Sequence, residues 1–131
     1  MFVDASAIAA ILLEEADAEM LADRLENARL DGCLTSPLGV FEATLAIARN
    51  HKGDVARARA VVLAFLQDAG VRVVPINEET AGRAIDAHER FGKGRHRARL
   101  NFGDCFAYAM ARQHNAPLLY KGDEFALTDL A

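Results

Sequence analysis

The chain has 131 residues, 52% hydrophobic and 26% charged, with 15 Lys and Arg against 19 Asp and Glu and a net charge of −4. That length fits one domain, residues 1–131, and the apolar fraction suffices for a packed core of Ala, Leu, Val and Ile, which excludes a disordered chain. No apolar run approaches the roughly 20 residues of a bilayer span, and Asp4, Glu14 and Glu15 precede the first basic residue, Arg24, so a secretory leader is excluded and a cytoplasmic protein is expected.

Short β-prone runs alternate with longer helical patterns, the order of an α/β fold with a mostly parallel sheet. Met1 to Val3 reads as a strand ending at Asp4, Ala5 to Leu13 as a helix, and Ala16 to Ala28 as an amphipathic helix with Met20, Leu21 and Leu25 on one face. Gly32 to Thr35 is a second strand. Ser36-Pro37 supplies an N-cap and then proline at the first helical position, opening a helix to about Asn50 that carries Val40, Phe41, Leu45 and Ile47. Asp54 caps a helix to about Ala69 with Val61, Val62, Phe65 and Leu66 inward, Gly70 stops it, and Val71 to Pro75 is a third strand. Asn77 starts a helix to about Phe91.

The stretch from Gly92 to Arg99 has almost nothing to bury and four basic residues, Lys93, Arg95, Arg97 and Arg99, which predicts an exposed loop. Asn101 to Gln113 resumes the helical period, with Phe102, Cys105, Phe106 and Ala109 on one buried face. A turn at His114-Asn115 leads to a fourth strand, Ala116 to Tyr120, then the polar Lys121 to Glu124 and a closing segment, Phe125 to Leu130. Cys33 and Cys105 belong to no Cys-x-x-Cys pair and read as reduced, buried, small apolar residues.

Acids recur at comparable places on this map. Asp4 ends the first strand, Glu42 lies early in the helix after the second, Asp104 opens a helix near the fourth, and Asp123 or Glu124 follows that strand. In a parallel sheet the carboxyl ends of the strands share one edge, where ligands bind. Carboxylates gathered there repel and raise one another's pKa unless a cation intervenes. Oxygen donors without nearby His or Cys favour Mg²⁺ or Mn²⁺, and phosphodiester hydrolysis is the chemistry such ions suit. Read alone, Asp4 is also a turn or helix-cap residue, Asp104 an acid placed by the helix dipole, and Asp123 and Glu124 a solvated turn. Glu42, between Phe41 and Ala43, is harder to place as an unpaired structural acid.

Met-Phe-Val-Asp-Ala-Ser-Ala-Ile (1–8), Ser-Pro-Leu-Gly-Val-Phe-Glu-Ala (36–43), Leu-Asn-Phe-Gly-Asp-Cys-Phe-Ala-Tyr-Ala (100–109) and Leu-Leu-Tyr-Lys-Gly-Asp-Glu-Phe-Ala-Leu-Thr-Asp (118–129) resemble, in order, the motifs of the PIN domain of VapC-type toxin ribonucleases. The resemblance implies a three-layer α/β/α fold with a central, mostly parallel sheet of about four to five strands. It also implies Mg²⁺- or Mn²⁺-dependent endoribonuclease activity, a homodimer, and inhibition by a cognate VapB-type antitoxin. Carried over residue by residue, Asp4 and Asp104 become the principal metal ligands, Glu42 completes the cluster, and Asp123 is the fourth acid with Glu124 as its alternative. Ser6 resembles the family's small hydroxyl residue that bonds a water or phosphate, although as a residue it is also a helix cap.

Arg90 to Arg99 holds five basic residues and no acid, a strip beside the Asp104 helix that can hold an RNA backbone, with Arg95, Arg97 and Arg99 as substrate-positioning candidates. The same strip can instead be a solvated loop or pair with acids on the antitoxin. Two other functional classes remain open on the residues. A haloacid-dehalogenase-like phosphatase would use Asp4 as nucleophile, given Asp4-Ala-Ser and Lys121-Gly-Asp123, but the second Asp of Asp-x-Asp is missing. A non-catalytic module, a phospho-receiver or a PIN fold kept for binding, also gathers acids at a sheet edge.

Overall fold

The strand residues at Phe2–Val3, Cys33–Leu34 and Leu118–Leu119 run without polar alternation, so both faces of the sheet need cover. The computed structural model, which describes residues 1–130, provides it with helices on both sides. Strands β1 (Phe2–Val3), β2 (Cys33–Thr35), β3 (Val71–Val73) and β4 (Leu118–Leu119) form one sheet in the order β3-β2-β1-β4, with every pairing parallel. Around it lie α1 (Ala5–Leu12), α2 (Ala18–Asn27), α3 (Pro37–Asn50), α4 (Val55–Ala69), α5 (Glu78–Phe91) and α6 (Phe102–Gln113). Successive strand residues point to opposite faces. Val3 and Leu119 accordingly join Ile8, Leu21, Ile47 and Val62 in the core beneath α1 to α4. Their neighbours Phe2 and Leu118 join Phe91, Tyr108, Met110 and Phe125 in the core beneath α5 and α6. The result is the expected three-layer α/β/α arrangement.

Local chemistry sets most of the boundaries. Ser36 accepts from the Gly39 N–H at 3.0 Å and Asp54 from the Arg57 N–H at 3.0 Å, while Asn77 and Thr80 form a reciprocal capping box at the head of α5. Gly70 ends α4 in the left-handed conformation at φ 69°, which a side chain would strain. The strands are shorter than the sequence predicts, because the pairing stops at Val73 and is confined to Leu118–Leu119 on the other edge.

The inward faces of three helices are narrower than their apolar periodicity predicts. Met20 is 51% exposed, Phe41 59% and Phe102 70%, and Leu45 also meets solvent. On α3 the buried positions are Gly39, Ala43, Thr44, Ile47 and Ala48 instead. Small residues let α3 sit close to the sheet, and a Cβ at Gly39 would lie 2.7 Å from Thr35 Oγ1. Phe102 is the first residue of α6 and meets Phe106 edge to face at 5.2 Å, ahead of the part of the helix that is covered.

The loop after α5 is more ordered than an exposed, unburied segment. Leu100 N–H donates to the Phe91 carbonyl and Lys93 N–H to the Leu100 carbonyl, both at 3.0 Å, so the loop closes on itself. Ala98 is buried and the His96 ring stands on the Phe91 edge at 5.2 Å. Arg90 leaves the basic strip, since it stacks over Phe91 at 4.6 Å and pairs with Asp129 at 3.1 Å. Asp129 also accepts from Tyr108 Oη at 2.6 Å and pairs with Arg112 at 2.8 Å, tying the end of the described chain to α5 and α6.

Burial alone would raise the Asp129 carboxyl, but hydrogen bonds from Tyr108, Arg112 and Arg90 outweigh it and hold it at about 2. A depressed native pKa contributes stability above the ordinary carboxylate range that is lost as pH falls toward about 2. Asp129→Ala is therefore expected to destabilise by about 1 kcal/mol at pH 7 after solvent screening is allowed for, with the deficit shrinking in acid. Denaturant titrations of both proteins at neutral and at low pH measure this, and an equal deficit at both would contradict it.

Candidate active site

From β1 the chain builds outward to β2 and β3, then returns to place β4 on the other side of β1. Such a reversal opens a crevice at the carboxyl ends of β1 and β4. Asp4 stands in it, one residue beyond β1 and 7% exposed. Its N–H donates to the Leu119 carbonyl at 2.9 Å, and Thr35 Oγ1 donates to the Val3 carbonyl at 2.8 Å, so the strand end is fixed from both neighbours. Asp4 Oδ2 accepts from the Ser6 N–H at 3.0 Å and the Ser6 hydroxyl at 2.5 Å. Ser6 Oγ in turn accepts from the Lys121 N–H at 3.0 Å. Asp4 is thus the cap of α1, and Ser6 is not a cap but the link between Asp4 and the chain leaving β4.

Glu42 reaches the same place from the second turn of α3, six residues beyond the Ser36 cap. Its carboxylate lies against Gly103, where a Cβ would sit 2.8 Å from Glu42 Cδ and 2.9 Å from Oε1. Gly103 is therefore needed for its lack of a side chain, a role the sequence reading missed although a glycine in the first turn of a helix signals close approach. Asp104 follows it. Its Oδ2 accepts from the Asn101 N–H at 3.0 Å, and Asn101 Oδ1 accepts from the Asp104 N–H at 2.9 Å, which makes Asp104 half of a capping box. Asp123 and Glu124, beyond β4, line with Asp104 a cavity of about 430 Å³ whose other wall carries Lys93, Arg97 and Arg99. Arg95 lies outside that cavity, in an adjoining groove shared with Lys93, Arg97 and Arg99.

Among the described residues, no ion pair reaches Asp4, Glu42, Asp104, Asp123 or Glu124. Lys121 commits its ammonium to Glu15, and to Asp17 at 3.4 Å, so it is not offered to Asp4 as the phosphatase alternative requires. The acids consequently raise one another. Burial, then the charges of Asp4 and Asp104, push Glu42 up to about 7. Burial pushes Asp104 up to about 6, against the Asn101 hydrogen bond and with help from Asp4 and Glu124. Asp4 is raised chiefly by burial, which outweighs its Ser6 hydrogen bonds, with Glu124 adding to it. Of the two candidates for fourth acid, Glu124 is the one whose charge reaches Asp4 and Asp104.

Among the described residues, no three His, Cys, Asp or Glu side chains converge closely enough to hold an ion as they stand. Repulsion between like charges favours that spacing, and Asp4 and Asp104 are each drawn onto a helix cap. Both use only Oδ2 there, so each keeps Oδ1 for a ligand. An all-oxygen, anionic, uncompensated donor set of this kind fits a hard divalent cation. Cys33 and Cys105 are free and buried, and burial first of all pushes both thiols up, consistent with a packing role.

The PIN domain family model matches residues 1–130. A VapC ribonuclease of Rhizobium meliloti is 45% identical, with 98% of each chain covered. A ribonuclease VapC of Mycolicibacterium smegmatis is 40% identical over 100% of this chain and 98% of its own. Among solved structures, the Mycobacterium tuberculosis VapC20, a sarcin-ricin loop cleaving toxin, superposes with a TM-score of 0.70 at 20% identity, covering 95% of this chain and 92% of the other. At that identity the superposition speaks for the fold.

Raised carboxylate pKa values make a prediction of sign. In a chelator-containing buffer, native Glu42 and Asp104 hold protons up to about 7 and about 6, whereas the unfolded chain releases them in the ordinary carboxylate range. The native state then binds more protons, so stability falls as pH rises from about 5 to about 8. Glu42→Gln and Asp104→Asn should each flatten the decline. Thermal unfolding across that window measures it, and a parent curve that is flat or rising would contradict the coupling.

Proposed function

The chain belongs to the PIN domain family, among its VapC ribonucleases, and from that premise we propose that it is a divalent-metal-dependent endoribonuclease, hydrolysing RNA phosphodiester bonds as the toxin of a toxin–antitoxin pair. The observation that carries this reading is the set of carboxylates at the β1–β4 crevice that have no ion-pair partner among the described residues and raise one another, with Asp104, Asp123 and Glu124 sharing one cavity with Lys93, Arg97 and Arg99. Asp4 and Asp104 would hold Mg²⁺ or Mn²⁺ through their Oδ1 atoms, Glu42 would complete the set, and Glu124, ahead of Asp123, would be the fourth acid. When bound, such an ion polarises phosphoryl oxygens and acidifies water.

The chain's own residues account for the remainder. Ser6 and the Lys121 N–H hold the Asp4 carboxylate in one rotamer, and the Asn101 capping box does the same for Asp104. Glu42, set against Gly103 beside Asp104, would be placed to accept a proton from the attacking water. Lys93, Arg97 and Arg99 can neutralise the phosphates flanking the scissile one, with Arg95 extending the track outside the cavity. The same cations would suit acidic residues of a VapB-type antitoxin, which we propose as the partner of a homodimer of single-domain chains. Among the described residues no helix is long and apolar enough to cross a membrane.

Purified protein incubated with single-stranded and structured RNAs is expected to cleave with Mg²⁺ or Mn²⁺ and to stop on addition of EDTA. Asp4→Asn and Asp104→Asn should each lower kcat at least about a hundredfold with unchanged circular dichroism. Undiminished cleavage by both variants would overturn the assignment. Gly103→Ala favours the helix but intrudes on Glu42, so it should preserve folding and still reduce cleavage by up to about a hundredfold.

A further inference from the structure

Lys93 is where three concavities meet. It lines the carboxylate cavity, the basic groove, and a cleft of about 570 Å³ between α5 and α6. Asn101 belongs to both the cleft and the carboxylate cavity, so the two adjoin. The cleft has a different character from its neighbours. Its walls are Ile85, Leu100, Phe102 and Phe106, with His88, Lys93 and Asn101 as polar groups. Ile85 is 67% exposed and Phe102 70%, an unusual outlay of apolar surface beside a polar site. Phe102 meets Phe106 edge to face at 62°, an arrangement that leaves Phe102 free to stack on a further ring.

We propose that this cleft is a nucleobase subsite, which takes an unstacked base of the RNA next to the phosphate being cleaved, with Phe102 as its stacking platform. The inference rests on the ribonuclease reading and names where that substrate's base goes. The occupant follows from the company the cleft keeps. Through Lys93 it adjoins the groove of cations that Arg95, Arg97 and Arg99 continue, complementary to a polyanion. A ligand that is anionic along its backbone and carries flat, apolar rings at each step is a single-stranded nucleic acid, and stacking on exposed aromatics beside a basic track is how such strands are held. Phe102 lies two residues before Asp104 on the same helical turn, so a base on its ring belongs to a nucleotide adjoining the carboxylate cavity. His88 and the Asn101 amide, whose Oδ1 is already taken by Asp104, offer hydrogen bonds to a base edge. Phe102 is accordingly a positioning and specificity residue.

The test uses RNA oligonucleotides carrying a fluorescent purine analogue at successive positions. In EDTA, the parent protein is expected to quench the analogue when it lies beside the cleavage site, and Phe102→Ala to abolish that quenching. With Mg²⁺, Phe102→Ala should raise KM by roughly tenfold to a hundredfold on normal RNA and have little effect where the adjoining nucleotide is abasic. Phe102→Trp should restore both signals. Unchanged quenching and KM in Phe102→Ala would overturn the proposal, as would a Phe102→Ala protein that turns from dimer to monomer with no selective loss on base-bearing RNA, because a second copy would then cover the cleft. Quenching without cleavage in Mg²⁺ or Mn²⁺ would leave the base site standing and defeat the ribonuclease reading instead.

Discussion

A nearly buried carboxylate at the end of the central strand is the constraint from which the arrangement of this molecule follows. An ionised group there loses its hydration, and among the described residues neither Lys nor Arg forms an ion pair with it. What holds Asp4 is a set of short polar links: its own amide to Leu119, its carboxylate to Ser6, and Ser6 to the Lys121 amide. These links join β1, α1 and the chain leaving β4, so one residue ties β1 to β4 and sets the direction of an acid side chain. The parallel order β3-β2-β1-β4 matters because it leaves this one crevice at the reversal, and α3 and α6 deliver their acids to it.

The molecule's small net charge conceals a sharp internal division. Acids accumulate at the crevice until Glu42 and Asp104 titrate near neutrality, while cations gather in the closed loop after α5. That loop would be a poor recognition element if it were floppy. Its paired ends, the buried Ala98 and the His96 ring packed on Phe91 give it a defined shape, so its cations are presented before any ligand arrives. Arg90 shows the limit of reading charge from position alone: it belongs to the strip by sequence and to Asp129 by contact.

Element order was legible because the chain marks its own helix ends. Ser36-Pro37, Asp54, Gly70, Asn77 and Asn101 each satisfy or stop a helix terminus by local chemistry, which needs no knowledge of the tertiary fold. Burial at the ends of those helices was less legible. Phe102 has the right spacing to join Cys105 and Ala109, yet periodicity says which way a side chain points and not whether anything lies opposite. The acids' common edge could be read from their register after the strands. The long-range tie that steadies Asp4 could not, since the Lys121 N–H reaches Ser6 Oγ across 115 residues, a separation with no periodic signature.

Gly103 shows why such sites resist reading by composition. Its position next to Asp104 looks like ordinary helix-start chemistry, where a small residue is merely tolerated. In three dimensions it is the surface on which the Glu42 carboxylate rests, so the absence of a methyl group decides how near two acids from different helices can come. Bringing them near costs stability through repulsion, and Ala in that place would favour the helix while pushing the acids apart. A folding-optimised sequence would take the alanine. Retaining glycine sets the spacing of the carboxylates above helix propensity, which is the order of priorities expected of residues whose task is to bind charge rather than to hold the fold.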